Sequence, residues 1–122
     1  MPKFIIDEYG NKRWWVNGQL HRLDRPAVEH ANGTKHWYVS GKLHRLDGPA
    51  VEWANGDKIW WVNGELHRLD GPAVEYRSGY KEWCVNDKRL SGPLDLLEHG
   101  ANWKDLVEYL TPREIAKLKL DK

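Results

Sequence analysis

The chain has 122 residues, one domain's worth, and its 19 Lys and Arg nearly cancel its 18 Asp and Glu. That balance lacks the basic excess of a duplex-binding surface, so a nucleic-acid partner is not expected. A single cysteine, Cys84, excludes an internal disulfide. The opening Met-Pro-Lys-Phe carries no apolar signal-peptide core, and no apolar run approaches the ~20 residues needed to span a bilayer. A soluble, cytoplasmic protein is the expectation.

One 23-residue unit recurs along residues 4–93. Leu-His-Arg-Leu-Asp stands at 20–24, 43–47 and 66–70, and Pro-Ala-Val-Glu at 26–29, 49–52 and 72–75. Trp14, Trp37, Trp60 and Trp83 keep the same step, as do Val16, Val39, Val62 and Val85. Four hairpins are predicted, over 4–16, 27–39, 50–62 and 73–85. In the first, Phe4-Ile-Ile stands where Ala-Val-Glu stands later. Asn-Gly between β-formers favours a two-residue turn with both residues at positive φ. Asn55-Gly56 is therefore expected to join strand 50–54 to strand 57–62, and Asn63-Gly64 to turn the chain again. Asp47-Gly48-Pro49 supplies the loop into the unit, because proline is excluded from a central ladder.

That turn would set Val51 opposite Trp60. One face would then carry Val51, Trp53, Lys58, Trp60 and Val62, and the other Ala50, Glu52, Ile59 and Trp61. The Val–Trp–Val set barely changes from unit to unit and reads as the packed face. The second face varies, with Trp15, Tyr38, Trp61 and Cys84 in register and Arg13, His36, Ile59 and Glu82 nearby. It reads as the face open to a partner, and Trp15, Tyr38, Trp61, Arg13 and His36 are its candidate partner-binding residues. Isolated hairpins are marginal in water, so neighbours must stack to bury a shared face.

The stretches Trp15-Val-Asn-Gly-Gln-Leu-His21, Tyr38-Val-Ser-Gly-Lys-Leu-His44 and Trp61-Val-Asn-Gly-Glu-Leu-His67 resemble MORN repeats. Those repeats share this length and a hairpin with an aromatic, an Asn-Gly turn and a histidine. Here their His-Gly-x-Gly is replaced by His-Arg-Leu-Asp-Gly-Pro, so the chain looks like a divergent MORN-like variant of bacterial or phage type. The resemblance implies a scaffold that contacts proteins, not a catalyst. Lipid binding is not carried over, because the departure falls in the loop.

The His-Arg-Leu-Asp element could be mistaken for a triplicated active site. Equivalent residues of successive units lie about 9–10 Å apart if each unit adds two strands. Zinc ligands sit at ~2.0–2.2 Å, so His21, His44 and His67 cannot share one ion. No cofactor, P-loop or nucleophile signature is present, and neither metal nor cofactor is expected. Arg and Asp flanking a Gly-Pro turn read first as a structural pair. The alternative is an anion site on Arg22, Arg45 and Arg68, joined by Arg25, which replaces the glycine found at 48 and 71. If that position needs positive φ, Arg25 is strained.

The fourth unit decays at Asn86-Asp-Lys-Arg-Leu-Ser-Gly-Pro93. Residues 94–99 then predict a short helix ending at Gly100. Residues 103–110 predict a second, with Trp103, Leu106, Val107 and Leu110 on one stripe. Thr111-Pro-Arg-Glu114 predicts a capping box that opens a third helix. The expected fold is thus mainly β with C-terminal α. A single elongated antiparallel sheet of about four stacked hairpins (1–93) would be capped by two or three short helices (94–122).

The functional expectation is a non-enzymatic scaffold that engages a protein partner, plausible for a phage-encoded chain acting on a host factor. A homodimer through edge strand 4–8 or the C-terminal helices is a further expectation. The alternative is a protein that sequesters a small anion such as a nucleotide, of the anti-defence type.

Overall fold

Two chemically different turns alternate along the array. In the computed structural model, Asn17-Gly18, Ser40-Gly41 and Asn63-Gly64 place both residues at positive φ, with Asn63 at 51° and Gly64 at 79°. Val62 pairs with Glu65 across this two-residue loop, as expected for a tight hairpin. The other turn differs. Gly56 is at φ 103° but Asn55 is not at positive φ. Instead the Asn55 side chain accepts the Asp57 N–H at 2.9 Å. The Trp53 N–H reaches the Asp57 carbonyl and the Gly56 N–H reaches that of Trp53. The loop is therefore three residues long, closed by an Asx turn and one left-handed glycine.

That extra residue corrects the register. Val51 pairs with Ile59 and Glu52 with Lys58, so Val51 does not face Trp60. A one-residue slip exchanges faces along a strand. Trp53 accordingly meets the ring of His36, the residue equivalent to Ile59, edge-on at 5.6 Å. His36 in turn lies 6.3 Å from Tyr38. The opposite face brings Trp37 and Glu52 together under Arg45. The division into a Val–Trp–Val face and a variable aromatic face is thus redrawn, because Val51 belongs with the Ile59 side.

Residues 2–120 are described here; Met1 and residues 121–122, at the ends of the predicted array and cap, lie outside them. The protein is mainly β, with a ten-stranded antiparallel sheet. Its path runs Pro2–Ile6, Lys12–Val16, Val28–Glu29, Lys35–His36, Val51–Glu52, Lys58–Ile59, Val74–Glu75, Lys81–Val85 and Lys88–Leu90. Gln19–Leu20 pairs beside Lys12–Val16. Each unit thus adds two strands. In the middle units the second strand bends away at its tryptophan. The Trp37 and Trp60 N–H groups bond to the carbonyls of Ala50 and Ala73, and the chain continues into small hairpins. These pair Tyr38–Val39 with Lys42–Leu43 and Trp61–Val62 with Glu65–Leu66. Ala27, Ala50 and Ala73 are fully buried beneath this bend, beside buried Val28, Val51 and Val74.

The C-terminal segment closes the last unit. A helix spans Pro93–Leu97, and Gly100 follows it at φ 97°, the left-handed geometry predicted for a helix end. Trp103–Tyr109 is a 3₁₀ helix rather than an α-helix. Three residues per turn align Trp103, Leu106 and Tyr109 and rotate Val107 outward, which corrects the predicted stripe. The Thr111–Glu114 capping box forms as predicted. The Thr111 N–H donates to Glu114 Oε1 at 2.8 Å, and the Glu114 N–H to Thr111 Oγ1 at 3.1 Å. It opens the helix Pro112–Leu120. Leu96, Leu106 and Leu110 form the buried centre, packed on Leu69, Trp83, Val85 and Leu90 of the array. No helix among the described residues is long and apolar enough to cross a membrane.

Leu96 and Leu106 are fully buried, so truncating either leaves a cavity at the junction of array and cap. Leu106→Ala and Leu96→Ala are each expected to lower unfolding free energy by about 2–5 kcal/mol in urea titrations.

Candidate functional site

The His-Arg-Leu-Asp element is an inter-unit clamp. His21, His44 and His67 each use Nδ1 to accept a backbone N–H from the next unit's turn. The donors are Ser40, Asn63 and Asn86, at 2.9, 2.9 and 3.1 Å. A histidine accepting at Nδ1 in its neutral form carries its proton on Nε2. The following arginine N–H bonds to a carbonyl one unit on, Arg22 to Tyr38, Arg45 to Trp61 and Arg68 to Cys84. The histidines are tied to separate turns and hold the backbone.

Each guanidinium completes the clamp. Arg22, Arg45 and Arg68 lie 3.8, 3.9 and 3.8 Å above the rings of Trp14, Trp37 and Trp60. Arg45 Nη1 also donates to the Pro49 carbonyl and to Glu52, both at 3.0 Å, while its Nε reaches Asp47 at 2.9 Å. Arg68 repeats this with Pro72 at 3.0 Å, Asp70 at 2.7 Å and Glu75 at 3.6 Å. These guanidiniums are engaged by ring, carbonyl and carboxylate at once, and they do not form a row of free anion contacts.

Position 25 finds its explanation here. Gly48 and Gly71 are not at positive φ, so the expected backbone strain at Arg25 is absent. At both sites the clamp passes close by, and a side chain would require the guanidinium to shift. A Cβ at 48 would lie 2.8 Å from Arg45 Cζ, and one at 71 would lie 2.6 Å from Arg68 Cζ. Arg25 places a Cβ at the equivalent point. Arg22 correspondingly has no ion pair with Asp24 among the described residues, and its bonds to Pro26 and Glu29 are both 3.3 Å. Arg25 itself is exposed.

The residues predicted to meet a partner are held within the fold to different degrees. Trp15, Tyr38 and Trp61 are half-buried. The indole nitrogens of Trp15 and Trp61 are themselves buried, with no acceptor among the described residues. Arg13 pairs with Asp7 at 3.3 Å. His36 is half-buried, and burial, with the charge of neighbouring His30 second, holds it below the usual histidine value. Cys84, the last residue of that series, is 2% exposed, and burial pushes its thiol up. At the other end, Phe4, Ile5 and Ile6 are exposed along the edge strand Pro2–Ile6.

A different surface is open. On the clamp side, Trp37 and Val39 floor a depression of about 660 Å³ between the loop leucines Leu23 and Leu46. One unit on, Trp60 and Val62 floor a second, of about 550 Å³, between Leu46 and Leu69. The two depressions are the same site displaced by 23 residues, with His44 and His67 at matching places on their walls. Leu23 and Leu46 are 77% and 80% exposed. The third copy, on Trp83 and Val85 beside Leu69, is filled by Leu96, Leu106 and Leu110 of the cap. Tyr109 stands edge-on to Trp83 at 5.1 Å. Burial, with the Glu75 charge second, pushes its phenol up to about 12. Trp37 is buried, as expected of the packed face; the exposed loop leucines that wall the groove are what sequence reading missed. The signal available was the loop leucine at 23, 46 and 69.

Comparison of the chain with protein families, with curated proteins and with solved structures finds no match.

The clamp contributes through stacking and a carbonyl bond more than through its half-exposed carboxylates. Arg45→Ala is expected to cost about 1–2 kcal/mol in urea denaturation, and Arg22→Ala, whose bonds to Pro26 and Glu29 are longer at 3.3 Å, less. Cys84 is expected to resist an aromatic disulfide reagent at pH 8 in the native protein and to react promptly once denaturant unfolds it.

Proposed function

We propose that this chain is a non-enzymatic binding protein whose repeat sheet engages a partner polypeptide along the clamp-side groove. This is the kind of role its resemblance to MORN-type arrays implies. The observation that carries the reading is internal to the molecule. The groove occurs three times, and the copy at the end of the array is closed by leucines from the chain's own C-terminal segment. In the two preceding copies the Arg45 and Arg68 guanidiniums lie over Trp37 and Trp60, and the loop leucines Leu23 and Leu46 stay exposed at the walls. Contiguous apolar surface of this kind, rimmed by polar groups, marks interaction sites in folded proteins. Aromatic anchors in shallow pockets are also the side chains that dominate binding energy.

The anion-sequestering alternative has less support. It needs unpaired arginines, and Arg22, Arg45 and Arg68 are each held over a tryptophan and against a carbonyl. Arg25 is the remaining candidate on that surface, and a lone exposed arginine is a weak anion site.

The reading is tested by selecting a random peptide library displayed on phage against the intact protein. Enriched peptides are expected to lose binding at least tenfold to a Leu23→Glu, Leu46→Glu double variant. They are expected to keep their affinity for a Tyr38→Phe variant. Peptides that bind the double variant as well as the native protein would move the site off the groove.

A further inference from the structure

We infer that Asn17 is a site of spontaneous covalent modification, converted through a cyclic imide to aspartyl and isoaspartyl forms ahead of every other Asn-Gly pair in the chain.

The chemistry needs an asparagine followed by an unhindered backbone amide. The Gly18 amide nitrogen attacks the side-chain carbonyl carbon, Cγ, of Asn17 and a C–N bond forms. The Cγ–Nδ2 bond breaks, and Nδ2 leaves as ammonia with the proton of the Gly18 amide. Water then opens the imide. Attack at Cγ restores the ordinary chain with a side-chain carboxylate at position 17. Attack at the backbone carbonyl carbon reroutes the chain through Cγ as isoaspartyl. Nothing is oxidised or reduced, and water is the co-reactant. Glycine favours the first step because it has no Cβ beside the attacking nitrogen.

Asn-Gly stands at 17–18, 32–33, 55–56 and 63–64. All four asparagines are exposed, so exposure does not choose among them. Their bonds do. Asn32 Oδ1 accepts the Thr34 N–H and Asn55 Oδ1 the Asp57 N–H, both at 2.9 Å, which commits those side chains to Asx turns. The Gly33 and Gly56 N–H groups donate to the carbonyls of His30 and Trp53 at 3.0 and 2.9 Å. At the third pair of this kind, the Gly64 N–H donates to the Leu43 carbonyl of the preceding unit at 2.8 Å. Gly41, in the matching turn, does the same to Leu20 at 2.9 Å. Gly18 belongs to the first unit and has no preceding turn to bond. Its N–H has no acceptor among the described residues.

A second observation agrees. A Cβ built on Gly41 would meet the Gln19 side chain at 3.5 Å, and one on Gly64 would meet Lys42 at 3.7 Å, because each turn is covered by the turn before it. At Gly18 nothing among the described residues lies within 4 Å of that point. The 17–18 turn borders instead an open depression of about 460 Å³ shared with Lys3, Ile5 and Trp15, where water has access. A hairpin turn must open before its amide nitrogen can reach Cγ, so the turn with the fewest bonds to break reacts first. The product lies between the strands Lys12–Val16 and Gln19–Leu20. Its new carboxylate cancels the formal net charge of +1, a condition that favours self-association.

The test incubates the full-length protein in mildly alkaline buffer, native and in urea. Peptide mapping with isoaspartyl methyltransferase labelling then follows each pair. Asn17 and Asn63 share the flanks Val-Asn-Gly, so the fold is what separates them. In the native protein Asn17 is expected to convert at least fivefold faster than Asn32, Asn55 or Asn63, and in urea Asn17 and Asn63 are expected to converge. Asn17→Ser, which installs the residue found at 40 in the same turn, is expected to remove the native product and leave the urea midpoint unchanged. Native conversion at Asn63, Asn32 or Asn55 as fast as at Asn17 would overturn the inference. So would an equal preference for Asn17 over Asn63 in urea, which would assign the difference to the chain rather than the fold. Absence of product at Asn17 in the native protein, whether or not the unfolded chain reacts, would overturn it as well.

Discussion

The guanidinium of Arg45 lies 3.9 Å over its own unit's Trp37 and bonds at 3.0 Å to Glu52 of the next. Everything regular about this protein follows from that crossing. A short hairpin has too little surface to persist alone. The clamp joins one hairpin to the next through a cation on an aromatic face, a carbonyl bond and a backbone N–H to carbonyl bond at the same residue. His44, the preceding residue, adds a fourth tie by accepting the Asn63 backbone N–H. The ion pair contributes least, since the Glu52 and Asp47 side chains stay partly in water. The ring and the carbonyl contribute most.

A clamp that repeats faithfully also repeats its by-products. Drawing the loop over the tryptophan leaves Leu23 and Leu46 exposed at the walls of the two depressions. The array has no internal means of closing this surface, because each unit contacts only its neighbours. It is closed where the repeat fails. At the fourth unit the clamp residues give way to Leu90 and Ser91, the chain turns into helices, and three leucines fill the copy on Trp83 and Val85. At the first unit Phe4 meets the Trp14 ring at 4.5 Å, standing where a buried alanine stands in later units.

The repeat, the four hairpins, the antiparallel sheet and the helical end were legible in the sequence, because each rests on local chemistry. Asn63-Gly64 turned as its residues require, and Thr111 and Glu114 capped each other across three residues. The faces were not legible. Asn55-Gly56 looks like Asn63-Gly64, yet Asp57 follows it and the Asn55 side chain closes an Asx turn onto that residue's N–H. One extra loop residue then reversed the pairing of Val51. Gly48 and Gly71 misled in the same way. Glycine serves either a positive φ or a close approach, and only the position of the Arg45 and Arg68 guanidiniums distinguishes the two.

The same correction changes where recognition can occur. A wet, variable face at Trp15, Tyr38 and Trp61 followed from pairing Val51 with Trp60. With Val51 opposite Ile59 the two faces exchange members; Trp15, Tyr38 and Trp61 are half-buried, and Cys84 at the equivalent place is 2% exposed. An indole nitrogen buried without an acceptor, as in Trp15 and Trp61, costs about 1–3 kcal/mol unless water reaches it. Such a group belongs to packing that the fold imposes, and it is a poor anchor for a partner that must bring its own acceptor. The clamp side is the reverse case. Its arginines are satisfied, its backbone is tied, and its loop leucines contact almost nothing of their own unit. Apolar surface on a satisfied, rigid frame is the condition under which a partner gains area without disturbing the fold it binds.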